Sequence, residues 1–505
     1  MFAFIDTALN RITMYRLVLY YLIALLGAAT LFSMLGVLPY DPTAIVFSTI
    51  VLLVVTWITN RVFAHVFHAQ ENAESVYITA FILALIISPV TAQNSAGLGF
   101  LIFAGSWSMA CKYLCAIRKK HIFNPAAFAV ALSAIAINQS ATWWVGGNLP
   151  LLPLVVLGGI LVVRKIQKTD LVLSAIIVAL GISIVTSSSK IILNPILQTL
   201  LHSSLFFFSF VMLTEPLTTP PGRTMRILYG AIVGALFVPA AHIGSFYFTP
   251  ELALLAGNIF SYAVSPKERL LLSLRAVEQI GTDMYDFIFR PDHTFSFRPG
   301  QYLEWTLSHA SPDDRGNRRY FTIASSPTEQ EIRLGVKFYP QGSSFKRALA
   351  AMKQGDTITA SQLAGEFTLP RDPAQKLVFI AGGIGITPFR SMLKYLIDMQ
   401  EHRPITLFYA NKKVADIAYK PILDEAWEQL GIKTVYSVTA EQGPIPGIYT
   451  RSISAEIIAK EIPDYCECTF YISGPRTMVI AFEAILNQMG VPRRQIKVDF
   501  FPGFA

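Results

Sequence analysis

The chain has 505 residues, 53% hydrophobic and 15% charged, with 41 Lys/Arg against 33 Asp/Glu. An ordinary soluble domain is about 25% charged, and the charges here divide unevenly: Met1 to Ser265 holds 13 Lys/Arg and 7 Asp/Glu, the remaining 240 residues 28 and 26. A wholly soluble enzyme, a disordered chain and a secreted disulfide scaffold are excluded, and positive charge gathered beside apolar runs reads as insertion topology, not nucleic-acid binding.

In chain order, apolar runs of spanning or near-spanning length lie near Leu17–Val37, Thr43–Asn60, Val76–Val90, Gly97–Ile117, Asn124–Ile137, Leu151–Val163, Leu171–Val185, Pro195–Leu213, Ile227–Phe248 and Glu251–Val264. They predict a polytopic α-helical membrane domain of about ten spans. The first run lacks a small-residue cleavage site, so it is expected to stay as an anchor. With the N-terminus inside, Arg11, Arg16, Arg61, Arg118, Lys119, Lys120, Arg164, Lys165, Lys168, Arg223 and Arg226 fall on the inner side and Lys190 on the outer. An even count with both termini cytoplasmic satisfies the positive-inside rule. Trp143 and Trp144 then suit an interfacial aromatic belt.

Stacked haems would need His pairs about 20 Å apart on each of two helices, about 13 residues at helical rise. His65, His68, His121, His202 and His242 form no such pair, so haem is not expected. Cys111, Cys115, Cys466 and Cys468 are too sparse for a zinc or iron–sulfur site and are read as buried packing residues. No metal site is expected.

Three short segments stand out near the predicted cytoplasmic surface: Asn72 to Ser75, Phe123-Asn124-Pro125-Ala126-Ala127-Phe128, and Leu213-Thr214-Glu215-Pro216 to Pro220. Asn before Pro is an ordinary helix start; a helix N-terminus in a polar pocket also suits a cofactor phosphate. Together the segments resemble the membrane subunits of the Rnf and Na⁺-translocating NADH:quinone reductase complexes, the RnfD/NqrB family. The resemblance covers most of Met1 to Ser265. It implies a flavin, often FMN linked to a Thr of an S-G-A-T segment. The nearest match here, Ser140-Ala141-Thr142, lacks the Gly and falls outside. A non-covalent flavin (FMN or riboflavin) or a quinone near Asn124 and Glu215 is the expectation.

From Pro266 the pattern changes. Ser273–Glu278, Met284–Arg290, Tyr302–Leu307 and Thr322–Ala324 read as strands of a small antiparallel barrel over 266–371. Over 372–505 the order strand, Gly-rich turn, helix repeats, predicting a nucleotide-binding α/β domain. Leu377 to Ala381 runs into Gly382-Gly383-Ile384-Gly385-Ile386-Thr387-Pro388, with a helix expected from Pro388. Glycines there let a pyrophosphate approach the backbone and the helix N-terminus faces its charge. A second strand, Thr469–Ile472, ends in Ser473-Gly474-Pro475-Arg476-Thr477-Met478. In the barrel, Arg319-Tyr320-Phe321-Thr322 sets a cation, two aromatics and a hydroxyl side by side, and Gly342-Ser343-Ser344-Phe345 offers backbone donors at a helix start.

In this order the segments resemble the ferredoxin–NADP⁺ reductase family over nearly all of Pro266 to Ala505. Its R-x-Y-[ST] motif falls on Arg319, Tyr320, Phe321 and Thr322, with Phe for Tyr; its phosphate segment on Gly342, Ser343 and Ser344. Its nucleotide motif falls on Gly382, Gly383, Gly385, Thr387 and Pro388. Its C-G-P-x-x-M falls on Ser473, Gly474, Pro475 and Met478, with Ser for Cys. The resemblance implies FAD, with Arg319 on its phosphate, Phe321 beside its ring and Thr322 near its reactive edge. It also implies a nicotinamide placed by Ser473 to Met478, and a terminal aromatic region, Asp499 to Ala505, that adds Phe504 to Thr322 and Ser473 as catalytic candidates. Asn411-Lys412-Lys413 suits either a 2′-phosphate or a solvated turn, leaving NADH or NADPH open.

The expected enzyme is a membrane-bound NAD(P)H oxidoreductase passing electrons through FAD to a carrier in the first half. The acceptor is undefined and further membrane redox subunits are potential partners. A rival reading makes the first half a transporter or anchor, on polar helix breaks such as Asn194-Pro195.

Overall fold

The computed structural model describes residues 9, 12–67, 73–117, 120–187, 191–265, 269–309, 313, 316–441 and 443–499. Arg11, His68, Asn72, Arg118, Lys119, Lys190, Pro266 and Phe504 lie outside them. The chain forms two compact units, Met1–Lys267 and Glu268–Ala505.

The first unit is helical. Its elements are α1 (Met14–Met34), α2 (Pro42–Val66), α3 (Ala73–Ile86), α4 (Ser95–Leu114), α5 (Pro125–Ala136), α6 (Leu152–Ile166), α7 (Thr169–Thr186), α8 (Leu193–Leu201), α9 (Leu205–Met212), α10 (Arg223–Phe237) and α11 (Pro250–Val264). Each apolar run read from the sequence holds a helix among the described residues, but the run Ile227–Phe248 is helical only to Phe237 and ends in a short hairpin of His242–Ile243 with Phe246–Tyr247, and Pro195–Leu213 is interrupted at 202–204. Among the described residues, three helices, α1, α2 and α7, are long and apolar enough to cross a membrane. The α8–α9 pair, bent by 63°, makes up to four if it counts as one span.

The bend falls at residues 202–204, where the chain leaves α8 at His202 and re-enters helix at Leu205. Past it, Phe208–Met212 winds as a π-turn within α9. Elsewhere, small residues set the packing distance. A Cβ on Gly234 would lie 2.3 Å from the Ala175 carbonyl oxygen, and one on Gly230 2.6 Å from that of Leu171. This G-x-x-x-G spacing lets the α10 backbone approach α7 closely.

Trp143 and Trp144 depart from the belt expectation. Both are buried; Trp143 Nε1 donates to Glu251 Oε2 (3.0 Å) and Trp144 Nε1 to the Ala84 carbonyl (3.0 Å). Each indole N–H is satisfied inside the protein, which removes the reason for it to face an interface.

The second unit has two lobes. The first is a six-stranded antiparallel sheet: β1 (Arg269–Gly281), β2 (Met284–Pro291), β3 (Tyr302–Thr306), β4 (Arg318–Thr322), β5 (Ile332–Lys337) and β6 (Thr357–Ala364), in the order β4-β3-β6-β1-β2-β5. Just past β4, Ala324 N donates to the Arg333 carbonyl on β5 at 2.9 Å. The two edges thus meet, and the sheet closes around Trp305, Phe287, Phe289 and Phe345. Closure removes the exposed edges of an open sheet.

The strand expected at Thr322–Ala324 lies instead at Arg318–Thr322. Its polar start hid it from an apolar pattern, but Arg318 to Thr322 pair with Thr306 to Tyr302.

The second lobe is a parallel sheet of β7 (Leu377–Gly382), β8 (Ile405–Asn411), β9 (Lys433–Val438), β10 (Ile448–Tyr449), β11 (Thr469–Ser473) and β12 (Ile496–Asp499), in the order β10-β9-β8-β7-β11-β12. Helices α13 (Thr387–Met399), α14 (Lys420–Leu430), α15 (Ala455–Glu461) and α16 (Arg476–Gln488) make the crossovers; α12 (Ser344–Ala350) belongs to the barrel lobe. From β7 the chain runs one way to β8 and β9, then returns to place β11 on the other side. The switch point therefore lies between β7 and β11, where open α/β sheets bind ligands.

The cysteine expectation holds for Cys111 and Cys468, which are buried, but Cys115 is half-buried and Cys466 exposed. Cys466 sits in a 3₁₀ turn before β11 and meets solvent.

Candidate functional site

At the switch point the two glycine-bearing turns interlock. A Cβ on Gly385 would lie 2.4 Å from the Ser473 carbonyl oxygen and 2.6 Å from Gly474 Cα; one on Gly382 would lie 2.2 Å from Met478 Sδ. Only glycine fits where backbone meets backbone in this way. Gly383, at φ +54°, has nothing within 4 Å of its Cβ position, so it presents bare main chain to open space. That is a cradle suited to a pyrophosphate.

The turn is held from behind. Tyr409 on β8 donates its hydroxyl to the Gly383 carbonyl (3.1 Å) and accepts from Ala418 N (3.2 Å). A 3₁₀ turn, Gly383–Ile386, precedes α13, which starts at Thr387 with Pro388 in its first turn, one residue earlier than expected. Pro475 leads into α16, and Met478 packs back on Gly382 and Gly474.

The barrel meets this end of the sheet through Thr322. Its Oγ1 donates to Asp499 Oδ2 at 3.3 Å. Asp499 closes β12 and is the register partner of Ser473 on β11, itself paired with Ala381 on β7. The structure therefore brings Thr322, Ser473 and the Gly382 turn to one place. Loss of water pushes the Asp499 carboxyl up to about 7, against the lowering effect of the Thr322 hydrogen bond. The sequence reading placed no role on Asp499. Its signal was an acidic residue ending an otherwise strand-like segment, which needs the β11–β12 register to acquire meaning.

On β4, alternation divides the flavin motif between two faces. Arg319 is buried with its guanidinium 5.3 Å from the Phe345 ring, and Phe321 lies 6.0 Å from the same ring. Arg319 also donates to the Gly316 carbonyl at 3.2 Å. Tyr320 turns the other way: it is exposed, and its hydroxyl donates to Glu304 Oε2 at 2.8 Å. The structure thus does not group Tyr320 with Arg319 and Phe321.

Ser343 caps α12, its Oγ accepting from Lys346 N at 3.3 Å, with Gly342 just before it. The Ser344 amide donates to Asp313 Oδ2 at 2.7 Å, and Ser344 Oγ accepts from Asp313 N at 2.9 Å. A carboxylate thus stands where the sequence reading placed a phosphate, so the chemistry of this donor set suits an anion. The residues present fit both FAD and a pyridine nucleotide.

In the first unit, Asn124 Oδ1 accepts from Ala127 N (3.1 Å) to cap α5, and its Nδ2 donates to the Met212 carbonyl (3.5 Å) at the end of the π-turn. Asn124 N donates to Asn258 Oδ1 (2.8 Å), and Asn258 Nδ2 to the Tyr229 hydroxyl (3.0 Å). Glu215, three residues past Met212, lies 3.3 Å from His121 Nε2 and accepts from Thr218 Oγ1 at 3.1 Å. Asn124 and Glu215 therefore border one largely buried polar cluster. Glu74 instead pairs with Arg16 (2.9 Å), and Ser75 Oγ accepts from Lys112 Nζ (3.0 Å). Thr142, of the S-A-T segment, bonds Ser88 Oγ at 3.0 Å and has no part in that cluster.

Comparison with known proteins agrees with the second unit. Residues 271–368 match the oxidoreductase FAD-binding domain family and residues 379–483 the oxidoreductase NAD-binding domain family. A flavohemoprotein of Bacillus cereus is 31% identical over 216 residues, covering 41% of this chain and 53% of that protein. The propane 2-monooxygenase reductase component of Mycolicibacterium goodii is 27% identical over 247 residues, 47% of this chain and 66% of that one. The chain thus spans about half the length of the flavohemoproteins it matches. Among solved structures, the cytochrome b5 reductase domain of Ulva prolifera nitrate reductase is similar at a TM-score of 0.41 and 21% identity, covering 47% of this chain and 98% of that one. The second half of this chain carries an FAD-binding and an NAD-binding oxidoreductase domain, a ferredoxin-reductase-like module of the NAD(P)H-dependent flavoprotein kind.

Proposed function

We propose that the chain is an integral membrane oxidoreductase that passes electrons from NAD(P)H through FAD to a carrier in its first unit, a second flavin or a quinone. Bound FAD supplies what side chains lack, taking an electron pair as hydride and releasing it singly. The observation that carries the reading is the meeting of Thr322, Asp499 and Ser473 beside the bare Gly383 turn. There the barrel would hold a flavin edge and the sheet's turns a nicotinamide beside it.

The residues then act by position. Arg319 and the Ser343–Ser344 amides hold phosphate, and Phe321 bounds the ring. Gly382, Gly383, Gly385, Thr387 and Pro388 take the pyridine nucleotide's pyrophosphate, and Gly474, Pro475 and Met478 shape the nicotinamide side. Thr322 and Ser473 flank the reacting edge, with Asp499 available to hold a proton at the Thr322 hydroxyl. In the first unit, Asn124 and Glu215 border the carrier's site. Support for membrane insertion comes from the three long apolar helices and the inner-side charge bias; about ten spans, with both termini and the FAD/NAD(P) module cytoplasmic, fits that bias.

The name of the flavohemoprotein relatives favours a second reading, a haem in the first unit, despite the histidine spacing. Of the described histidines there, His121 faces Glu215 while His65, His202 and His242 are exposed.

The test is the absorption spectrum of the detergent-purified chain before and after NADH, with flavin quantified after acid release. Two flavins per chain, or FAD with a bound quinone, reduced together support the relay. One FAD and no further carrier leaves the anchor or transporter reading, and a Soret band replaces the flavin or quinone carrier with haem.

A further inference from the structure

Between the lobes of the second unit lies a set of charges that the redox chemistry does not use. Arg390, in the first turn of α13, is buried at 4% exposure. Its guanidinium engages Glu329 through both nitrogens, NH2 to Oε1 at 2.8 Å, and donates from NH1 to the Ala324 carbonyl at 3.0 Å. The next residue, Ser391, donates its hydroxyl to the Ser325 carbonyl at 2.6 Å. Glu329 in turn accepts from Ser326 N at 2.6 Å. Three consecutive residues, Ala324, Ser325 and Ser326, are thus held at their main-chain atoms by α13 or by its carboxylate partner.

Behind this clamp stands a second tier. Arg333 on β5 bonds the fully buried Asp286 on β2 at 2.9 Å, lies 3.2 Å from Glu278 and 3.6 Å from Glu329. The Arg390 guanidinium also lies 5.7 Å from the Tyr419 ring, which opens α14. Charges buried at a junction cost desolvation, and apolar residues could fill the same space at equal or lower cost. What they add is direction: a bidentate guanidinium–carboxylate pair fixes angle as well as distance.

The clamp sits at an informative place. Ala324 is two residues past Thr322, and Arg390 three residues past Thr387. It therefore ties the strand that presents Thr322 to the helix that follows the nucleotide turn. We propose that Arg390, Ser391 and Glu329 are positioning residues for hydride transfer: they hold the barrel and the nucleotide sheet in the one register at which Thr322 faces Ser473 and Asp499. This rests on the reading of the module as an NAD(P)H-dependent flavin reductase. All three act through protein partners, the main chain of 324–326 and one another.

R390K keeps the charge but cannot bridge Glu329 and Ala324 together, and E329Q removes the ion pair at equal volume. In the full-length purified chain both should retain FAD, with flavin reduction by NADH in stopped flow slowed about ten- to a hundred-fold, the loss expected for a misplacement of about 1 Å. KM for NADH should change far less, and the long-wavelength charge-transfer absorbance on mixing with NADH should weaken. In the flavin-free chain, amides of 324–326 and 387–399 should exchange with deuterium faster than in the wild type, a readout independent of turnover. S391A, which loses one hydrogen bond, carries the test where R390K does not fold.

Wild-type reduction rates in the folded variants overturn the proposal. So does a loss confined to FAD content with the loaded fraction turning over normally, since that marks a purely structural pair. A wild-type chain that NADH does not bleach removes the functional reading and this one with it; bleaching with unaffected variants removes this one alone.

Discussion

Thr322 and Asp499 stand 177 residues apart in the chain and are joined by a hydrogen bond of 3.3 Å. One belongs to the barrel lobe and the other to the last strand of the nucleotide sheet, so the bond marks where the lobes share a site. Asp499 keeps its proton up to about pH 7 in the folded chain, whereas an unfolded chain releases it near 3.9. The folded state thus binds more protons across that interval, and stability falls as pH rises from about 4 to about 7. D499N should remove this slope in thermal unfolding. It should also flatten a pH profile of flavin reduction that in the wild type inflects near 7. An unchanged profile in D499N would place the titrating group elsewhere.

The glycine turns separate two kinds of effect. In G385A the new Cβ meets Ser473 and Gly474 main chain, which cannot yield as a side-chain tip can. The expected result is loss of NADH-dependent bleaching together with a lower melting temperature. G383A meets open space and bears only the left-handed backbone conformation, a cost of about 1–2 kcal/mol. There KM for NADH should rise with FAD content unchanged, as steady-state kinetics and flavin release can show.

Asn124 is tested by its cap. N124A loses the acceptor for Ala127 N and the contact to Met212, and should destabilise the first unit by about 1 kcal/mol. N124D keeps a capping oxygen and should recover most of that loss in detergent melting curves. If both variants melt like the wild type, the α5 start does not depend on this side chain.

Glu215 bears on the electron carrier. E215Q removes the charge facing His121 and one acceptor for Thr218. Transfer beyond FAD, followed as quinone reduction or as the slower phase of bleaching, should fall about tenfold, in line with roughly 1–3 kcal/mol for a disrupted buried hydrogen bond. A wild-type rate in E215Q would move the carrier away from this cluster.

Much of the architecture was legible because it is local. The apolar runs announce helices by composition, though not where they stop, as the hairpin that ends the Ile227–Phe248 run shows, and Leu377 to Pro388 announces strand, turn and helix within twelve residues. The strands at Thr357–Ala364 and Lys433–Val438 escaped because they are rich in polar and small residues and are defined by their pairing partners, while Ile332–Lys337, though it alternates, is only six residues long and was passed over. The same holds for the site. Gly383 and Thr322 carry their signal in adjacent residues, whereas Asp499, Arg390 and Glu329 acquire theirs only from strand register and lobe contact. Trp143 shows the reverse failure: a local rule for interfacial aromatics gave way to one distant acceptor, Glu251.

The meeting of the β7 and β11 turns has a consequence for biosynthesis. Gly385 is made 88 residues before Ser473, yet the two turns pack main chain against main chain in the folded protein. A nascent chain that has exposed the glycine-rich loop still has no place for the dinucleotide until the strand carrying Ser473 emerges and pairs. Dinucleotide affinity should therefore arise late in translation and in a single step, so that partly synthesised chains draw no NAD(P)H from the cell.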